Sequence, residues 1–501
     1  VLAKVFSYVL LGIDAIECEV EVNVDESGMQ KILVVGLPQI AVKESIDRVL
    51  QSIANSGFAI KWRRVLINLA PADVKKDGPS LDLPIAIGLL RGSKYITTER
   101  ARDYLIAGEL ALDGRVRKIK GGLSLALLAK RQKKSGVIVP QDNARECAVV
   151  EGIDVIPVTT LTQATSFLNG NLEIDPFTLD DKPYALSQLE DAPDFADVRG
   201  QEGVKRAVTL AAAGAHNLLM MGPPGTGKTM LASRLAGILP PLSREESLET
   251  TRIYSALGLL PDGVALMDRR PVRPVHHSAT AQALVGGGTN PRPGEVSMAH
   301  HGILFLDELP EFGRNVLEML RQPLESGEVV ISRAVGSMKF PARFMLVAAM
   351  NPTAKGNSPS DPRARSKYLD KLSGPLLDRI DIHVEVPAVP YHELTGKRAG
   401  TDSAAMRTQV ESARAVQKKR FANDSMTNAR MNSKLLQKHA ELSPACLLLM
   451  KQAMEELGLS ARAYDKVRRV ARTIADLDSS ESIGETHLAE AVGYRLLDRT
   501  Y

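Results

Sequence analysis

The sequence predicts an α/β protein: a core of parallel strands and crossover helices, with a second mixed α/β domain before it and an all-α domain after it. Three observations carry this. The run "LLMMGPPGTGKTML", residues 218–231, places Gly222-x-x-x-x-Gly227-Lys228-Thr229 between an apolar strand and an alanine- and leucine-rich segment, the order a phosphate cradle needs. Two further apolar strands, "ILFLDE" and "FMLVAAMNP", continue the alternation of a parallel sheet with crossover helices. After "VPAVPYHEL" the apolar residues recur at helical spacing.

At 501 residues the chain exceeds one core and suggests about three domains. In residues 1–170, "CEVEVNV" alternates as a half-buried strand, "VKESIDRVLQSIANSG" reads as an amphipathic helix ending at Gly57, and "RVLINLAP" as another strand. Residues 171–196 are rich in Asp and Pro with weak periodicity, a linker composition. The core spans 197–389, opening on the helix "EGVKRAVTLAAAGA". In the closing domain, 390–501, Met406, Val410, Ala413 and Gln417 share one face of a basic helix, and Tyr464, Val467, Ala471 and Ile474 one face of another.

Hydrophobic residues at 44% and charged residues at 24% are ordinary for a globular chain. Apolar runs such as Val65–Leu69 fall far short of the roughly 20 residues a bilayer span needs. No signal-peptide pattern opens the chain, so a cytoplasmic enzyme without membrane partners is expected. Val1 stands where an initiator Met would, which points to a trimmed start. Cys18, Cys147 and Cys446 lie too far apart in sequence for a zinc ribbon or redox pair and are expected to be buried thiols. The pairs His276-His277 and His300-His301 fit no metal-ligand spacing, and no structural metal is assigned. The net charge is only +4, so contact with nucleic acid must rest on local basic surfaces.

The loop Gly222, Pro223, Pro224, Gly225, Thr226, Gly227 lets backbone N–H groups converge on phosphate oxygens, aided by the N-terminus of the helix that follows. Lys228 would reach the β- and γ-phosphates of ATP, and the Thr229 hydroxyl would ligate Mg2+. In "GILFLDE" an apolar strand stops at two carboxylates, with Asp307 beside the metal and Glu308 polarising the attacking water. Asn351 ends a third strand, either orienting water near the γ-phosphate or simply opening an Asn-Pro turn.

The segments "DVRGQEGVKRAV", "GPPGTGKT", "FLDE", "AAMNP", "GPLLDRID" and "LSARAYDKVRRVARTIADL" occur in the order seen in AAA+ ATPases, and the set resembles the magnesium-chelatase-like branch. Together with "RPVRPVHHSATAQALVGGGTNPRPGEVSMAHHGILFLDELPEF" and the N-terminal domain, it is similar to the ComM/YifB family over nearly the whole chain. The resemblance implies a hexameric ring, an ATP-dependent DNA motor acting in branch migration during natural transformation. It implies that Arg379 in "LLDRID" is an arginine finger offered to the neighbour's ATP and Arg462 in "SARAYD" the sensor-2 arginine of an all-α lid. Without it, both read as ordinary surface cations. The alternatives are a magnesium-chelatase-type motor for metal insertion and a Lon-like ATP-dependent protease.

The protease alternative arises because "RVLINLAPADVKKDGPSLDLPIAIGLL" and "GELALDGRVRKIKGGLSLALLAKR" resemble the proteolytic domain of Lon, a ribosomal S5-type α/β fold. Ser80 occupies the nucleophile position, but Ser124 stands where the base lysine is needed, so the domain is read as non-proteolytic. It is read as a scaffold or a contact for DNA or a partner, with Arg63, Arg64, Lys75 and Lys76 the candidate residues. Two basic stretches exceed what ATP chemistry requires. "DRRPVRPVHHSATAQALVGGGTNPRPGE" carries Arg269, Arg270, Arg273, His276, His277 and Arg292, and "GEVVISRAVGSMKFPARF" reads as a hairpin with Arg333, Lys339 and Arg343. These cations either track the phosphate backbone of DNA or neutralise acidic neighbours between subunits. The helix "RTQVESARAVQKKRF", with Arg414, Lys418, Lys419 and Arg420, is a second basic surface or a solvated face. Clustered cysteines are missing from "NPTAKGNSPSDPRARSKY", which removes a zinc module there.

Overall fold

The computed structural model describes residues 2–25, 31–60, 64–179, 193–288, 290–333, 336–353, 368, 371–390, 400–423, 425–495 and 497. Residues 180–192, half of the 171–196 linker, and residues 354–367 of "NPTAKGNSPSDPRARSKY" therefore lie outside the described residues, as does Arg63. The chain divides into two compact units. One comprises Val1–Pro183, Leu248–Met267 and Asn290–Arg292; the other comprises Tyr184–Ser247, Asp268–Thr289 and Pro293–Tyr501.

In the first unit β1 (Leu2–Leu11) turns at Gly12 into β2 (Asp14–Asp25), antiparallel with Leu11 opposite Asp14. Strand β3 (Lys31–Val35) runs parallel to β4 (Arg64–Ala70), which pairs antiparallel with β2. Beyond β1 lie β5 (Tyr104–Ile106), β6 (Gly136–Pro140) and β7 (Asp154–Val158), all parallel, giving the order β3-β4-β2-β1-β5-β6-β7. The alternation of β4 buries Val65, Ile67 and Leu69. Helix α1 (Ile40–Asn55) adds Val42, Ile46, Val49 and Ile53 to the same core. Helix α2 (Asp82–Gly92) is apolar on every side between Asp82 and Arg91 and nearly all buried, as such a composition requires. Helix α3 (Gly122–Arg131) covers the β6 side. Residues 248–267 are tied into this unit by Ser255 to Glu146 at 2.5 Å and Lys118 to Asp262 at 2.7 Å.

In the second unit α4 (Glu202–Gly214) leads to β8 (Leu218–Met221), and α5 (Lys228–Leu235) follows the glycine loop. Strands β9 (Val272–Val275), β10 (Ile303–Leu306), β13 (Met345–Met350) and β14 (Ile382–Glu385) join β8 in a wholly parallel sheet of order β9-β10-β13-β8-β14. Between β10 and β13 the expected hairpin forms from β11 (Glu328–Arg333) and β12 (Gly336–Pro341), with Arg333 opposite Gly336. The C-terminal part is helical: α6 (Ser403–Phe421), α7 (Pro444–Leu457), α8 (Ala461–Leu477) and α9 (Glu485–Gly493). Asp402, Ser443 and Ser460 cap the first three of these with side-chain oxygens, each worth about 1 kcal/mol. The faces expected from periodicity are the buried ones: Met406, Val410, Ala413 and Gln417 on α6, and Val467, Ala471 and Ile474 on α8. They share one core with Leu218 and Met220 of β8.

Candidate active site

In a parallel sheet the C-terminal strand ends collect on one edge, where helix N-termini and loop amides face outward. Here β8 ends at Met221 and the loop turns away at once. Gly222 is obligatory, because a Cβ there would lie 2.2 Å from the Val386 carbonyl oxygen. Gly225 (φ 78°) and Gly227 (φ 87°) adopt left-handed backbone that a side chain would strain. Thr226 donates its hydroxyl to the Pro223 carbonyl at 2.9 Å, and Gln201 donates to the carbonyls of Thr226 and Pro387, both at 3.0 Å, which fixes the loop. Pro224 is exposed at the turn.

Lys228 opens α5 and folds back beneath the loop. Its ammonium donates to the carbonyls of Gly222 and Pro223, both at 2.8 Å, and to Asn351 Oδ1 at 3.2 Å. Burial lowers its pKa below the ordinary value, opposed by the Asp307 charge. Thr229 donates its hydroxyl to Asp307 Oδ2 at 2.7 Å. Asp307 and Asn351 follow β10 and β13 directly, so Lys228, Thr229, Asp307 and Asn351 are joined by hydrogen bonds across three neighbouring strand ends. A hydroxyl beside a carboxylate supplies the hard oxygen ligands that suit Mg2+, and an ammonium under a glycine loop suits a triphosphate.

Glu308 has a left-handed backbone (φ 53°), with its N–H donating to Asp307 Oδ1 at 2.9 Å. Its carboxylate lies 3.2 Å from His277 Nδ1, and the His276 and His277 rings lie 4.1 Å apart. The sequence marks those histidines as poor metal ligands and as part of a basic stretch, and neither reading places them at Glu308. The signal for the contact was positional: both residues lie just beyond the C-terminal ends of the adjacent strands β9 and β10.

Arg379 and Arg462 lie elsewhere. Arg379 precedes β14, and its carbonyl accepts from Asn217 Nδ2 at 3.0 Å, at the start of β8. The phosphate loop begins five residues further along β8, roughly 16 Å away at about 3.3 Å per residue. The Arg379 guanidinium pairs with Glu325. Arg379, Arg462 and Arg343 line one cleft of about 620 Å³ at this opposite edge of the sheet.

The basic candidates separate by pairing. Arg270 donates to Glu246 at 2.7 Å and to the carbonyls of Pro240 and His301, and Arg273 forks onto Glu295 at 2.7 and 3.0 Å, so both guanidiniums are engaged within the fold. Arg269 and Arg343 are exposed, as is Lys339 on β12, which pairs with Glu328 at 3.2 Å. The Arg333 side chain lies outside the described residues. On α6, Arg420 is held by Asp476 and Arg414 donates to the Ala212 carbonyl at 2.8 Å, while the Lys418 and Lys419 side chains are exposed. In the first unit Lys76 is fully buried and donates to the Pro71 carbonyl, so it offers no surface contact. Ser80 sits in a short turn of helix before α2, while Ser124 is buried and donates its hydroxyl to the Ile13 carbonyl at 2.7 Å. All three cysteines are buried, and no helix among the described residues is long and apolar enough to cross a membrane.

The model of magnesium chelatase, subunit ChlI, matches residues 194–394, a second ChlI model residues 20–143, and the ChlI C-terminal model residues 400–495. The chain is 43% identical to competence protein ComM of Haemophilus influenzae, covering 99% of this chain and 98% of that protein. It is 42% identical to YifB of Escherichia coli over the same shares. A more distant relative is the magnesium-chelatase 38 kDa subunit of Cereibacter sphaeroides, 24% identical over 61% of this chain and 91% of that subunit.

Proposed function

The chain belongs to the ComM/YifB family of magnesium-chelatase-like AAA+ ATPases, which implies ATP hydrolysis with Mg2+, and from that premise we propose that it is an ATP-driven DNA motor. It works as a hexameric ring that displaces branched junctions in recombination during natural transformation. Lys228 and the amides of the glycine loop hold the triphosphate, and Asn351 orients water. Glu308 accepts the proton of that water. When bound between Thr229 and Asp307, Mg2+ would neutralise charge between the β- and γ-phosphates. Arg379 and Arg462 serve the site of the next subunit, where permanent guanidinium charge meets the phosphate oxygens.

The observation that carries the ring reading is the placement of both arginines on the edge of the sheet away from their own phosphate loop. Neither can complete that loop, and a ring that repeats one contact brings the two edges together. DNA as the cargo draws support from the competence relative and from the exposed cations Arg269, Lys339 and Arg343. Proteolysis by a Ser80–lysine pair has no support from the position of Ser124, whose hydroxyl is spent on a carbonyl.

The test is the ATPase rate with branched DNA, with unfolded protein, and with porphyrin and the partner subunits of a chelatase. Stimulation by DNA alone is expected. Stimulation by the chelatase components alone would transfer the reading to metal insertion.

A further inference from the structure

The two arginines of the cleft come from elements 83 residues apart in the chain, so their spacing depends on how α8 docks against the turn before β14. Arg462 lies in the first turn of α8, and Lys466 lies four residues on, on the same face. The Lys466 ammonium pairs with the carboxylate of Asp381, two residues after Arg379. Asp381 is buried, and its other oxygen accepts from Asn217 N at 2.9 Å. Asn217 returns a hydrogen bond to the Arg379 carbonyl at 3.0 Å, and Arg495 donates to the Ile380 carbonyl at 2.6 Å. Further along α8, Thr473 meets His216 Nε2 at 2.8 Å, and the other nitrogen of that ring is 3.7 Å from Asp381. The turn 379–381 is thus clamped between the start of β8 and the helix that carries Arg462.

A pair of this kind is an expensive way to hold two elements together. Burial opposes both charges, yet the Lys466 charge, with the His216 ring beside it, outweighs burial and keeps the Asp381 carboxyl well below the usual carboxylate range. Well-packed apolar residues would give the fold similar or greater stability. What a charged, hydrogen-bonded pair adds is a fixed direction and register.

We propose that Lys466 and Asp381 are positioning residues that set the helix carrying Arg462 against the turn carrying Arg379, so that both guanidiniums line one cleft and Arg379 exchanges Glu325 for the neighbouring subunit's triphosphate when that subunit docks. This rests on the reading of Arg379 as a residue acting on the next subunit. Geometry fixed before the partner arrives spares the ordering cost of two long side chains at the moment of docking. The pair therefore acts on the donor side of an interface and leaves the cradle of its own subunit intact.

That direction makes the proposal testable by mixing subunits. Lys466→Met with Asp381→Asn removes both buried charges and keeps an acceptor for Asn217. This double variant alone should hydrolyse ATP at least about tenfold more slowly than wild type. Its affinity for a fluorescent ATP analogue and its ring mass by light scattering should stay unchanged. Mixed with Lys228→Ala, which keeps its arginines and lacks a cradle, it should regain activity to the level of the Arg379→Ala plus Lys228→Ala mixture. Mixed with Arg379→Ala it should regain none, because both partners then lack a working receptor. Rescue of Arg379→Ala would overturn the proposal. Rescue of neither partner, or loss of analogue binding, would show that the pair serves the fold as a whole and would overturn it equally. The control mixture separates the two levels: absent rescue between Arg379→Ala and Lys228→Ala removes the action between subunits itself, and the proposal with it.

Discussion

Gly222→Ala tests the geometry of the phosphate loop through a single methyl group. The added carbon would sit 2.2 Å from the Val386 carbonyl oxygen and 3.1 Å from its carbonyl carbon. Both are backbone atoms, and Val386 N is itself bonded to the Met221 carbonyl at 2.7 Å, so neither side can rotate away. The strand ends of β8 and β14 must separate or the loop must shift by on the order of 1 Å. Overpacking of this kind costs about 1–3 kcal/mol. Relief by loop displacement moves the Gly222 carbonyl from the Lys228 ammonium, now at 2.8 Å, and that geometry must be restored when nucleotide binds. Affinity for ATP should therefore fall by about 5- to 150-fold, with thermal unfolding lowered by roughly 3–10 °C. Titration with a fluorescent ATP analogue and a melting curve on the same preparation measure both. Wild-type affinity together with a wild-type melting temperature would refute the packing argument and the role assigned to the loop.

The remaining expectations concern separate parts of the machine. Glu308→Gln should retain nucleotide binding and lose hydrolysis by at least about a hundredfold, read by phosphate release against analogue binding, because the amide keeps the shape and cannot accept the proton of water. DNA affinity measured by anisotropy should fall steeply with salt, and Lys339→Ala with Arg343→Ala should flatten the log–log slope by about 2, since each phosphate contact contributes about 0.9. Ser80→Ala should leave ATP hydrolysis and DNA binding unchanged, and casein degradation that vanishes in this variant would reverse the account of the first unit.

Much of this was legible because it is local. A glycine loop, a carboxylate pair at a strand end and a capped amphipathic helix are each written within about ten residues, and the observed Gly222–Thr229 loop, the Asp307-Glu308 pair and α8 occupy the segments those patterns mark. Pairing across the chain is not written that way. Arg269 and Arg270 are neighbours with one composition, yet Arg270 is claimed by Glu246, 24 residues away, while Arg269 is exposed. The same holds for Arg420, whose partner Asp476 lies on another helix, and for Lys76, whose burial no periodicity announced. Residues 248–267 join the first unit through Ser255 and Asp262, and the two carry no motif. The approach of His277 to Glu308 depends on strand order, which becomes readable only once β9 is known to lie beside β10.

The central claim is that ATP hydrolysis drives movement of branched DNA, and the most direct measurement is displacement of a synthetic four-way junction at matched protein occupancy. Wild-type protein with ATP and Mg2+ should resolve the junction into its duplex products, whereas Glu308→Gln should bind the junction as tightly and move it no faster than the junction migrates unaided. A junction that wild-type protein binds and hydrolyses ATP upon, but does not displace, would contradict the account.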